Sequence, residues 1–245
     1  MQISFFEEFP TKSNLAKLKL VSWSTKLYLG AKSATEFNRI KSAIKSKQVK
    51  EVIYWPLLEK KEGYWISPFS QRKALLRIFA ELKNRKIPIM LDLELPATQN
   101  PLLYLTQSFN FCRNKKLITN FIQNYGGDVY LAEYYPEGKW KESIMKLIGL
   151  HYSLPKVKII KMVYHSLHRF INQEFLEKEF KRGVNEYGKN YVVALGTIAP
   201  GIHGTEPKIS LKQLQLDLDT ARKCGIKEVV MFRLGGLDRR CGKVF

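Results

Sequence analysis

The chain has 245 residues, 45% of them hydrophobic, which is enough for a full core and fits one barrel or two small domains; one domain, residues 1–245, is expected. The 41 Lys and Arg against 22 Asp and Glu give a formal charge of +19, which suits anionic partners. No apolar run approaches the roughly 18 residues of a membrane span, "MQISFFEEFP" has acids where a signal peptide carries basic residues, and Cys112, Cys224 and Cys241 lack the spacing of a zinc site or disulfide framework. A cytoplasmic protein without metal or cofactor is expected.

Along the chain, short β-branched or aromatic runs alternate with helical patterns. The strands are predicted in "QISFFEE", "LKLVSWS", "EVIYWP", "IPIMLDLE", "DVYLAEYY", "VKIIKMVY", "YVVALGT" and "KEVVMFRL". Between the first two only a short helix fits, in "KSNLAKL". Ser33 with Glu36 forms a capping box before Phe37, Ile40 and Ile44, and Leu75, Ile78, Phe79 and Leu82 make an apolar stripe on the next helix. Further helices are predicted over 98–124, 139–150, 167–187 and 210–224, the last opened by Ser210 and closed by Gly225. Eightfold alternation at this length is the pattern of a (β/α)8 TIM-type barrel. No Gly-x-Gly-x-x-Gly turn follows the first strand, which argues against an open dinucleotide-binding sheet. Only "GGLDRRCGKVF" follows the last strand, so the barrel is expected to lack its final helix and to leave a seam where a partner or second copy could sit.

The charge is diffuse. The lysines of "RIKSAIKSKQVKE" and "AELKNRKIP" fall on helices and the turns after them and read as a solvated surface. Non-specific contact with nucleic acid is the functional alternative.

In such a barrel the C-terminal ends of the strands carry the active site. Those ends gather Glu7 and Glu8, Trp23, Tyr54 and Trp55, Asp92 and Glu94, Glu133 with Tyr134 and Tyr135, Tyr164 and His165, and Arg233. Asp92 and Glu94 are two apart on one strand and share a face, predicted to point into the barrel mouth, because burying both acids against the outer helices would be costly without cations. Crowded carboxylates can divide into a protonated acid and an ionised partner, as cleavage of a glycosidic bond requires, and flat aromatics suit sugar faces. Glu7, Glu8 and Glu133 could equally pair with surplus Lys and Arg.

The "LDLE" ending the fourth strand resembles the Asp-x-Glu of chitinase-like glycosidases, "KMVYHS" looks like their Met-x-Tyr, and "GIKEVVMFRLGGLD" is similar to their last strand. The resemblance implies that Glu94 protonates the leaving oxygen, Asp92 orients it, and Tyr164 donates to an acetamido group. Two earlier acids of that motif fall on Ile87 and Met90, and the expected Trp of the last strand falls on Arg233.

Arg233 before Gly235 and Gly236, with the Gly-rich "GTIAPGIHGTEP" and its His203 on the preceding loop, suggests an anion site. An alternative function follows: a lyase or isomerase of a phosphorylated substrate, with Lys161 as a Schiff-base amine and His165 in reach. Lys161 and Tyr164 have opposite parity, so an unbroken strand aims only one of them inward. A structural Lys161 paired with Glu133 is the remaining reading. The substrate-binding set is Glu7, Trp23, Trp55, Tyr134, Arg233, Gly235 and Gly236. A basic barrel that only binds nucleic acid or protein is the third reading.

Overall fold

A computed structural model describes residues 1–97, 102–134, 139–152, 154–167 and 171–245. Eight parallel strands form a closed barrel in sequential order: β1 (Gln2–Glu7), β2 (Thr25–Ala31), β3 (Val49–Pro56), β4 (Ile89–Leu93), β5 (Val129–Tyr134), β6 (Lys158–Val163), β7 (Tyr191–Thr197) and β8 (Glu228–Phe232). The helices between them are α1 (Lys12–Ala16), α2 (Ala34–Ala43), α3 (Arg72–Leu82), α4 (Leu102–Ser108), α5 (Phe111–Asn124), α6 (Lys139–Leu147), α7 (Gln173–Tyr187) and α8 (Leu211–Lys223). After β8 the described residues form only two short 3-10 turns. The chain divides into two compact units, one of residues 1–30, 40–53 and 158–245, the other of residues 31–39 and 54–157.

The predicted second strand is displaced. Lys17–Leu20, overlapping the start of "LKLVSWS", form a 3-10 turn that buries Leu18, and the strand runs instead through "TKLYLGA". Trp23 therefore stands before β2, at its N-terminal end, where its Nε1 and the Thr25 hydroxyl both donate to the Ile3 carbonyl (3.1 and 2.8 Å). The helix predicted over 98–124 is two helices, α4 and α5, broken at Phe109 and Asn110, and its first residues, 98–101, lie outside the described ones. Ser33 accepts from Glu36 N, but the Glu36 carboxylate accepts from Lys32 N, one residue before the position a capping box requires; Ser210 accepts from Gln213 N, and Gly225 closes α8 at φ +78°. All four residues of the α3 stripe are buried, and Phe79 stacks on Phe121 of α5 at 4.1 Å.

Strand register fixes which side chains face the helices, because paired residues of parallel strands point to the same side. In the first unit, Tyr191 meets α7: its ring stacks near Tyr187, and a Cβ on Gly183 would overlap it. Ile159 pairs with Tyr191 and Lys161 with Val193, so Lys161 lies on the helix side and Met162 and Tyr164 on the interior side. The interior side continues through Ala194, Val230, Phe232 and Phe6. Gly183→Ala is expected to destabilise the fold by about 1–3 kcal/mol despite the better helix propensity of Ala, the usual cost of overpacking; a urea midpoint equal to wild type would show that α7 can shift off Tyr191. In the second unit, Tyr54 packs on Phe37 of α2 at 4.9 Å and pairs with Ile89. Tyr54, Ile89, Leu91 and Leu93 therefore face the helices.

Candidate active site

Two carboxyls stand on the opposite side of β4. Asp92 alternates with the helix-facing Leu91 and Leu93 and points inward, and Glu94 follows one residue past the strand. Glu94 hydrogen-bonds to Asp92, and burial, working against that bond, pushes its carboxyl up to about 7. The same alternation places Trp55 of β3 on the interior side, next to helix-facing Tyr54, and Tyr134 of β5 there too, in step with Ala132, which pairs with Asp92. Trp55 is buried and Tyr134 is 38% exposed. Tyr135 lies outside the described residues.

The loop after β3 braces this corner. Ile66 N donates to the Asp92 carbonyl (3.0 Å), Ala97 N to the Gly63 carbonyl (3.1 Å), and Gly63, at φ +117°, packs against Ser70 where a side chain would not fit. Glu62 anchors the loop to α3 through two 2.8 Å bonds from Arg77, which hold its carboxyl below the usual range. Trp65, half-buried on this loop and edge-on to Tyr64, was not singled out from the sequence because it belongs to no strand.

Glu133 does not join the pair. It pairs with Leu93 and so faces the helix side, where His151 Nδ1 lies 2.7 Å from one carboxylate oxygen and Tyr152 N donates to the other at 3.2 Å. His151 Nε2 is 3.6 Å from Glu142. Both His151 and Glu133 are buried. His151 sits in the segment between α6 and β6, with no periodicity to mark it in the sequence.

In the first unit the anion position predicted around Arg233 is filled by the protein itself. Glu7, fully buried and on the helix side of β1, accepts from Arg233 Nη1 (3.1 Å), Gly235 N (2.7 Å), Phe9 N (2.8 Å) and Asn14 Nδ2 (3.2 Å). Arg233 also donates to the Pro200 carbonyl and lies 4.8 Å over the Phe9 ring. A Cβ on Gly236 would collide with the backbone of Ile198, which accounts for that glycine by packing. Arg233 and the Gly235 amide thus clamp the Glu7 carboxylate. Sulfate and phosphate are expected to shift the thermal midpoint no more than chloride at equal ionic strength, whereas a phosphate-specific rise absent in Arg233→Ala would restore the anion site.

The remaining candidates separate in the same way. Of the two orientations left open for β6, Lys161, 1% exposed, lies on the helix side and Tyr164 on the interior side. His165 turns its Nδ1 to Asp217 of α8 (3.3 Å), whose same oxygen accepts from Gln173 and Gln213. Tyr164 is interior, with Phe232 at 6.1 Å. Sequence reasoning missed Glu206: where Gly201 lacks a Cβ, the Glu8 Oε2 and Glu206 Oε1 positions lie 3.0 and 3.1 Å from the place it would occupy, and Glu206 also accepts from His203 N. The Gly-rich composition of that loop was its only signal. Trp23, at the N-terminal end of β2, is remote from the C-terminal strand ends.

A closed barrel of eight parallel strands with helices between them is a TIM barrel. Three solved structures are similar to it. The PgaB (BpsB) glycoside hydrolase domain from Bordetella bronchiseptica aligns at TM-score 0.56 and 12% identity over 98% of this chain and 94% of that one. A D-tagatose 3-epimerase-like protein aligns at 0.57 and 13% over 100% and 94%. A xylose isomerase domain protein from Planctomyces limnophilus aligns at 0.53 and 9% over 96% and 91%. No family model and no curated protein sequence matches the chain. At these identities the likeness is one of fold, and it supports a TIM barrel without singling out the chitinase-like group. Among the described residues, no helix is long and apolar enough to cross a membrane and no group of three metal-ligating side chains occurs.

Proposed function

We propose that the protein acts on a carbohydrate at the end of β4 by carboxylic acid chemistry, with Glu94 as the general acid and Asp92 as the residue that positions it. The observation that carries this reading is the Glu94 carboxyl, hydrogen-bonded to Asp92 on the interior face and pushed up to about 7, so that near neutral pH it can still hold a proton to give. Glu94 delivers that proton to the bridging oxygen as the carbon–oxygen bond breaks and the leaving sugar departs as an alcohol. Water then adds to the anomeric carbon, and its proton returns to the Asp92–Glu94 pair. Tyr134, exposed on the same face, offers a ring surface to the sugar. A screen of chromogenic glycosides and β- and α-linked oligosaccharides tests the reading, with release of free sugar expected.

Isomerisation of a sugar is the second reading, because a carboxyl titrating near 7 can also shuttle a proton between neighbouring carbons. Product analysis separates the two: hydrolysis gives shorter sugars, isomerisation gives a sugar of unchanged mass.

A further inference from the structure

The helical turn between α4 and α5 inverts the usual amphipathic order. The side of α4 turned to the protein buries Leu103 and Gln107, while Leu102, Leu105 and Phe109, spaced i, i+3 and i+7, stand outward, Leu105 at 65% and Phe109 at 90% exposure. Outward apolar side chains in one stripe mark a contact surface. Their surroundings are cationic: Arg113 and Lys116 are exposed on the first turns of α5, and no Asp or Glu occurs anywhere between Glu94 and Asp128. Lys115 donates to the carbonyls of Lys146 and Leu147, which brings the end of α6 beside α5 with Leu147 exposed there as well.

We infer that this tip docks on an anionic lipid bilayer, with Leu105 and Phe109 entering the headgroup boundary and Arg113 and Lys116 meeting acidic headgroups. The charge selects this occupant. A second copy would bring the same acid-free, cationic surface against itself in a chain of net charge +19, whereas an anionic membrane matches both the projecting apolar side chains and the cations beside them. Nucleic acid would meet the cations and could stack a base on Phe109, but it would leave Leu102 and Leu105 without an apolar partner. The contact is peripheral, and it leaves the strand ends of β4 and β5 outside its chemistry.

The test is flotation of the full chain with vesicles of phosphatidylcholine alone or containing about 30 mol % phosphatidylglycerol, alongside sedimentation of the free protein. Binding is expected only to the anionic vesicles, weakened about tenfold or more by the double variant Leu105→Ser, Phe109→Ser and, separately, by Arg113→Glu, Lys116→Glu. All four side chains are exposed, so circular dichroism should be unchanged. Failure to bind anionic vesicles, equal binding to neutral ones, or unaltered binding of the Leu105/Phe109 variant would overturn the inference. A wild-type dimer that this variant dissolves would overturn it in favour of a second copy.

Discussion

Glu94→Gln is expected to abolish turnover on whatever sugar the protein acts on, by about 10²–10⁴-fold, while leaving the fold intact. The amide keeps the shape of the carboxyl and can still donate to Asp92, but it cannot deliver a proton. In the wild type the rate should decline as pH rises through about 7, where Glu94 loses the proton it must give. Stability supplies an independent readout of the same group. The folded value, about 7, exceeds the ordinary 4.5, so the folded protein binds the proton more tightly than the unfolded chain does. The corresponding stabilisation is present below 4.5 and is lost as pH rises to about 7, on the order of a few kcal/mol at about 1.4 kcal/mol per unit. Glu94→Gln escapes that loss and should be more stable than wild type at pH 8 by up to this amount, with little difference at pH 4.5. Full turnover in the folded variant would move the acid to another residue.

Glu7→Ala is expected to destabilise the protein by about 3–5 kcal/mol, the usual cost of removing one partner of a buried ion pair. Glu7 is fully buried, and its two oxygens tie the end of β1 to Phe9, to Asn14 of α1 and to Arg233 and Gly235 after β8. Burial pushes its carboxyl up by more than Arg233 and the backbone donors pull it down, so the clamp depends on keeping those donors in place. Without it Arg233 keeps a buried charge, and the amides of Phe9 and Gly235 lose their acceptor. Arg233→Ala should cost a similar amount, and the double variant less than the sum, because both substitutions remove one interaction. Urea unfolding of the three variants checks this; a Glu7→Ala change below about 1 kcal/mol would mean that water replaces the clamp.

Seven of the eight strands were legible because a barrel strand is buried on both faces and reads as a short apolar run bounded by turn residues. The second was not. "LKLVSWS" holds as many apolar residues as "TKLYLGA", but its Leu18 is buried from a 3-10 turn, whereas Lys26 in the true strand reaches Glu228 at 2.7 Å. Which face of β6 turns inward was also illegible, since "VKIIKMVYH" is apolar on both sides, and only the packing of Tyr191 against α7 decides between Lys161 and Tyr164. At the site, the shared face of Asp92 and Glu94 followed from their spacing. The removal of Glu133 to the helix side did not, because it depends on the β4–β5 register and on His151, eighteen residues away. The Arg233–Gly235 pattern suggested an anion site, and the group that Arg233 meets is Glu7, a partner 226 residues distant in sequence.

The carboxyl titration of Glu94 itself bears most directly on the site. With glutamate 13C-labelled at the side-chain carboxyl, NMR spectra of wild type and Glu94→Gln collected across pH should differ by one resonance. Its midpoint is predicted near 7, well above the ordinary 4.5. If every resonance titrates below about 5, close to the reference range for glutamate, and the variant removes one of those, Glu94 is an ordinary carboxylate and the acid role assigned to it fails.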